Sequence, residues 1–168
     1  MSLPAGFKVE PLAKTHDRAS FSCGIPELDN YLQRQARQDV DRHLASVFVL
    51  CNDSGHIAAF YTLSALALLP EDLPIVVGAK LPRFPFPVTL LGRMAVDKAY
   101  RGSGLGRFVL MHALQRALHS TVEVASWAVV VDTKVGARDF YLKYGFIPLP
   151  DKPHRLYLPM KEIEKLGL

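Results

Sequence analysis

The sequence predicts a single α/β domain over residues 1–168. Three observations carry that prediction. Residues 88–96 and 124–132 are near-continuous apolar runs, the pattern of strands covered on both faces. Between them, residues from Leu105 to about His119 have helical periodicity and follow a glycine-rich turn. Runs rich in β-branched and aromatic residues, 45–51 and 56–64, flank Asn52-Asp53-Ser54-Gly55, which is hairpin chemistry.

Taken in order, residues 7–12 read as an opening strand and 16–26 as an irregular connector, with Pro26 placed for the first turn of a helix. Leu28, Leu32, Ala36 and Val40 recur every four residues and mark one apolar stripe through about His43, a face for core packing or for a protein partner. Arg34, Arg37, Gln38, Asp41 and Arg42 make the remainder polar and mostly basic, either a solvated face or a surface that meets a polyanion. Five prolines (Pro70, Pro74, Pro82, Pro85, Pro87) exclude a central strand between 69 and 87. That stretch reads as an extended loop with a short segment at 73–80. Its Arg83 and Phe84 border a substrate cleft or belong to a mere connector.

Gly92-Arg93 interrupts the first apolar run and marks a bulge or a close backbone approach. The helix after the glycine turn has a polar stripe, His112, Gln115, Arg116 and His119, read as solvated and not metal-binding. Asp132 or Thr133 caps a helix running to about Tyr144, which Gly145 closes. Residues 146–149 and 156–160 form a hairpin-like pair across a polar link at 151–155, and 161–168 a terminal helix.

Hydrophobic residues make up 49% and charged residues 21% of the chain, as in ordinary globular proteins. The formal net charge of +4 fits CoA, RNA or an acidic protein as partner, and equally a mildly basic protein with none of these. Cys23 and Cys51 are too few for a disulfide framework and lack metal spacing, so both are expected reduced. No apolar run reaches membrane-spanning length and the first residues lack an h-region, so the expected location is the cytoplasm.

The turn Arg101-Gly102-Ser103-Gly104-Leu105-Gly106 joins a strand to a helix start. Its glycines leave backbone N–H groups unobstructed, and the helix adds the positive end of its dipole. Such a turn seats an anion, with Arg101 at its entrance. Arg107-Phe108 after Gly106 rules out a P-loop, and the G-x-G-x-G spacing rules out the dinucleotide fingerprint.

Four segments, 91–96, 100–106, 129–132 and 137–146, resemble in order and spacing the core of the GNAT superfamily of N-acetyltransferases. With 16–39 and 155–160 added, nearly the whole chain is similar to the TacT-type acetyltransferase toxins. The resemblance implies a GNAT fold of the α+β kind, a central mixed β-sheet with a splayed cofactor strand flanked by helices, with acetyl-CoA as co-substrate and no metal. It implies that the toxin acetylates the α-amino group of aminoacyl-tRNA and blocks translation. It further implies a ribbon-helix-helix antitoxin and a homodimer. The pantetheine arm would lie along the backbone of Met94, Ala95 and Val96. The pyrophosphate would sit on Arg101, Gly102, Ser103, Gly104, Leu105 and Gly106, with Arg107 nearby.

In the resemblance Tyr141 faces the CoA sulfur, Tyr144 is its alternative, and Phe140 packs against the cofactor arm. A phenol, with a pKa near ~10, keeps its proton at neutral pH and can donate it to a thiolate. No carboxylate stands out as a general base. An α-amino group titrates near ~7.7–8.0 and needs less help than a lysine at ~10.4. Arg34, Arg37, Arg83 and Arg93, with Lys143 beside them, are the expected tRNA phosphate contacts. The competing readings are a GNAT enzyme acting on another primary amine (a protein N-terminus or a small molecule) and a CoA-binding module without turnover.

Overall fold

In the computed structural model, which describes residues 3–133 and 136–168, the Asn52 side chain accepts from the N–H groups of Ser54 and His56 at 3.0 Å each. Gly55, at φ +78°, completes the turn. It joins β2 (Ser46–Asn52) to β3 (Ile57–Leu68) as an antiparallel pair, and β1 (Phe7–Pro11) pairs antiparallel with β2. The remaining strands are β4 (Phe86–Val96), β5 (Ala128–Asp132), β6 (Ile147–Leu149) and β7 (Lys152–Pro159). They complete a seven-stranded sheet of order β1-β2-β3-β4-β5-β7-β6. The β4–β5 pairing is parallel and the β5–β7 and β6–β7 pairings are antiparallel, which makes the sheet mixed, as the resemblance implies.

Two compact units divide the chain. The first takes residues up to 64 together with 93–113. Its helical segment runs from α1 (Pro26–Asn30) through a π-helical turn (Tyr31–Gln35) into α2 (Ala36–Asp41). The π turn has a reason in the sequence. A stripe of period four advances about 40° per step around a 3.6-residue helix, so Val40 would sit roughly 120° from Leu28. Widening the helix by an i→i+5 turn, closed by Ala36 N–H on the Tyr31 carbonyl, takes up part of that drift. Leu28, Leu32 and Ala36 are consequently buried, and Val40 packs at the margin. They meet Phe21, Val49 and Phe60, with Phe21 and Phe60 edge to face at 5.5 Å. Burying side chains of this size stabilises the fold by about 1.5–3 kcal/mol each before entropy is counted.

The second unit takes residues 65–92 and 114–168. Leu68, Phe86, Val88, Val130 and Tyr157 form its core, against which Trp127 stacks on Tyr157 at 5.8 Å. Helix α3 (Ile75–Gly78) lies in the proline-rich stretch, as expected for its short segment. Pro87 belongs to β4, one residue from its start, where its carbonyl accepts from Trp127 N–H at 2.8 Å. The strand thus begins two residues before the apolar run.

Other boundaries differ from the sequence expectation. The fifth strand starts at Ala128, not 124: Val124 is exposed and its N–H bonds back to Ser120, finishing the turn after helix α4 (Leu105–Ser120). Helix α5 (Arg138–Lys143) starts later than a cap at Asp132 or Thr133 would give. Asp132 lies in β5, and Thr133 gives both its N–H and its hydroxyl to the His154 carbonyl, extending the strand pairing. Lys134 and Val135, where the expected helix would begin, lie outside the described residues. Gly145, at φ +93°, closes α5 as predicted, and helix α6 (Met160–Glu164) follows β7.

Candidate active site

The glycine turn is built on a buried carboxylate. Asp97, directly after β4, accepts from Ala99 N–H at 2.9 Å with one oxygen and from Ser22 N–H at 3.0 Å with the other. Its own N–H donates to the Ala58 carbonyl, and Lys98 N–H donates to Ser22. These bonds fix where the chain leaves the strand. Gly102 and Gly104 then take φ +75° and +84°, the left-handed region that a side chain disfavours. A Cβ added at either would meet nothing within 4 Å, so the turn presents bare backbone to open space. Buried Leu105 anchors the start of α4, and its first i→i+4 bond runs from Phe108 N–H to the Gly104 carbonyl at 3.2 Å. The N–H groups before Phe108 are the unpartnered donors that every helix start carries. The first turn of α4 holds no acid, and Arg107 is exposed on it. This arrangement suits a phosphate-bearing ligand.

Arg101 does more than the sequence indicates. One guanidinium nitrogen donates to the Cys23 carbonyl at 2.9 Å and stands 2.5 Å from where a Cβ would be at Gly24. Gly24, at φ +89°, is favoured by its left-handed backbone, and a Cβ there would displace the end of the arginine side chain. The other donors of Arg101 remain for an anion.

In the second unit, α5 places Tyr141 at 7% exposure, edge-on to Phe140 at 5.2 Å and to Phe146 at 5.5 Å. Burial pushes its phenol well above the ordinary tyrosine range, so the hydroxyl holds its proton throughout neutral pH. Phe140 is half-buried between Tyr141 and Tyr144, and the Lys143 ammonium lies 5.6 Å from the Tyr144 ring centroid.

The expected tRNA-facing cations have different situations. Arg34 is exposed on the π turn. Arg37 is engaged within the fold, donating to the Leu12 carbonyl at 3.3 Å and pairing with Asp41 at 3.5 Å. Arg83, in the second unit, is exposed and lines a cavity with Pro70, Leu73, Gly78 and Leu81. The Arg93 guanidinium carbon lies over the Tyr31 ring, 3.7 Å from its centroid. Sequence reasoning missed Tyr31, which stands beside the Leu28–Leu32 stripe. A stacked tyrosine and arginine 62 positions apart leave no local signal.

His112 is not solvated, as its place in the polar stripe implied: it is half-buried, shares a 2.9 Å hydrogen bond with the Tyr61 hydroxyl and packs against Phe108. Cys23 and Cys51 are free and buried. Cys51 donates to Glu10, which also accepts from His16 at 2.5 Å. Ala13 N–H donates to His16 Nδ1, so the ring proton sits on Nε2 and points at the carboxylate. The Glu10–His16–Cys51 cluster is thereby a hydrogen-bonded chain, because the histidine nitrogen a metal would need is protonated. No helix among the described residues is long and apolar enough to cross a membrane.

The acetyltransferase (GNAT) family matches residues 12–146, and the chain belongs to that family of N-acetyltransferases. Among characterised relatives, the tRNA-acetylating toxin of Mycobacterium tuberculosis is 34% identical over 92% of this chain and 93% of its own length. The probable toxin TacT of Sinorhizobium fredii is 30% identical, over 94% and 93% respectively. Among solved structures, AtaT complexed with acetyl-methionyl-tRNAfMet superposes with a TM-score of 0.89 at 25% identity, covering 96% of this chain and 99% of that one. A tyrosine-to-phenylalanine mutant of KacT gives the same TM-score at 26% identity, covering 96% and 99%.

Proposed function

We propose that this chain is a toxin that transfers an acetyl group from acetyl-CoA to the α-amino group of aminoacyl-tRNA and so blocks translation. The observation that carries the reading is the 34% identity, along 92% of the chain, to a tRNA-acetylating toxin. The neighbour complexed with acetyl-methionyl-tRNAfMet supports the same acceptor. The open glycine turn supports a CoA pyrophosphate on Arg101, Gly102, Ser103, Gly104, Leu105 and Gly106, with Arg107 beside it.

The β4–β5 ladder covers Thr89–Leu91 while β4 continues to Val96. That supports a splayed strand whose Met94, Ala95 and Val96 backbone receives the pantetheine arm. In the reaction, the neutral amine nitrogen bonds to the acetyl carbon, the carbon–sulfur bond breaks, and the amine's surplus proton passes to water. Tyr141 donates its phenolic proton to the departing thiolate, the resulting tyrosinate recovers a proton from the water that received the amine's, and the products are N-acetylaminoacyl-tRNA and the CoA thiol. The buried phenol supports this role because it stays protonated wherever the amine is neutral. The tyrosine-to-phenylalanine mutant of a structural neighbour also supports looking to a tyrosine. An α-amino group needs no protein base near neutral pH, which fits a site where no carboxylate stands out. Phe140 packs along the cofactor arm in this reading. One acetyltransferase domain spans the chain, working in the cytoplasm as a homodimer held silent by a ribbon-helix-helix antitoxin.

Expression in a bacterial host tests the reading. Induction should arrest growth within a generation, and Tyr141→Phe or co-expression of the antitoxin should restore it. Arrest that Tyr141→Phe leaves untouched contradicts the assignment. Normal growth with intact acetyl-CoA turnover would move the acceptor to another primary amine.

A further inference from the structure

The Tyr31–Arg93 stack joins three features that the reaction above does not use. Tyr31, on the π turn, stacks near-parallel to Phe60 at 6.3 Å between centroids and has the Arg93 guanidinium carbon over its ring at 3.7 Å. The Tyr31 hydroxyl donates to Asp39 at 2.8 Å, and Gln35 donates to the other Asp39 oxygen at 2.9 Å. The ring is thus held by Phe60 and, at its tip, by Asp39, with the arginine over it. Arg93 is anchored from its own side, since its N–H donates to the buried Thr62 hydroxyl at 3.0 Å.

Among the described residues no carboxylate pairs with Arg93. Its charge is met by the ring face alone, which leaves the planar N–H edge unfilled. A guanidinium held over an aromatic ring with its N–H groups left unpaired can take two oxygens of one phosphate. Arg93 also directly precedes Met94–Val96 on β4, so its fork belongs to the strand assigned to the cofactor arm.

We propose that Tyr31 is a positioning residue that holds Arg93 as a fork for one phosphodiester in the single-stranded acceptor end of the nucleic-acid substrate. This inference rests on the aminoacyl-tRNA reading above. The π turn then serves recognition as well as core packing, because it aims the ring that orients the arginine.

The test measures binding of charged tRNA to the full-length protein across a salt series, with the KM for acetyl-CoA and the melting temperature measured alongside. Wild type should show log affinity falling linearly with log salt, and Arg93→Ala should make that slope shallower by about 0.7, one single-strand phosphate contact. Affinity at low salt should fall about tenfold or more, as for a lost charged hydrogen bond. Arg93→Lys should keep the slope but not the full affinity. Tyr31→Leu should act like Arg93→Ala on tRNA without changing the KM for acetyl-CoA, and the double variant should be no worse than either single one. If Tyr31→Leu does not fold, Tyr31→Phe, which keeps the ring and loses only the Asp39 bond, should retain the slope and most of the affinity. An unchanged slope in Arg93→Ala, or fully additive losses in the double variant, overturns the proposal. Wild type that binds no charged tRNA overturns the parent reading, and that result is seen before any variant is made.

Discussion

At the scale of single residues, burial determines which groups keep their protons. Tyr141 keeps its proton because burial raises its pKa, and Tyr31 is held neutral first by burial and then by its bond to Asp39. The same physics acts on the thiols. Burial first, then the Asp29 carboxylate, pushes Cys23 up to about 11, and burial followed by Glu10 does the same to Cys51. A raised folded-state pKa means that the unfolded thiols lose protons first as pH rises. Their stabilisation is complete below about 8.5 and fades as pH climbs towards 11. Unfolding by urea should therefore show stability level from pH 7 to 8 and falling above that. The Cys23→Ala/Cys51→Ala variant should show a shallower fall between pH 8.5 and 10. Tyr141 was legible in the sequence because it sits in a motif. Its burial against Phe140 and Phe146, though both are local in sequence, was not part of that reading. Arg93 and Tyr31 were not legible as a pair, since stacking is a tertiary fact that neither composition nor period encodes.

Elements succeed or fail by their ends. The glycine turn was legible because Gly102 and Gly104 announce left-handed backbone, and both adopt it. What the sequence hid is the bracing beneath them: Asp97 on Ser22 and Ala99, and Arg101 on Cys23 across Gly24. Gly104→Val should cost about 1–2 kcal/mol of backbone strain, and the added branches would fill the open space over the turn. At about 2–4 °C per kcal/mol, calorimetry should show a melting point lower by roughly 2–8 °C, together with weakened acetyl-CoA binding by titration. Gly6→Ala makes the informative control. Gly6 is at φ +80° with nothing near its Cβ position, so the variant should lose similar stability and keep its acetyl-CoA affinity. The misplaced boundaries have a common cause. Residues 124–127 and 132–133 are apolar or β-compatible enough to read as strand or cap, while Ser120 and His154 decide their actual hydrogen bonds.

For the whole molecule, the order of strands and helices follows from alternating apolar runs and helical periods, while the mixed sheet was foreseeable from the family resemblance. The acceptor was not foreseeable in the same way. A net charge of +4 is shared by many proteins that bind no nucleic acid, and of the expected phosphate-binding arginines, Arg37 is tied up with Leu12 and Asp41. Chemistry narrows the choice further: a phenol acid without a carboxylate base suits an amine that is already neutral near pH 7–8. The most direct measurement is transfer of labelled acetyl from acetyl-CoA to bulk charged tRNA, with wild type beside Tyr141→Phe. The account predicts label on the aminoacyl group, released when the ester is hydrolysed, and a rate about 10²–10⁴-fold lower in the variant with acetyl-CoA still bound. Charged tRNA that stays unlabelled while the enzyme binds acetyl-CoA would contradict it.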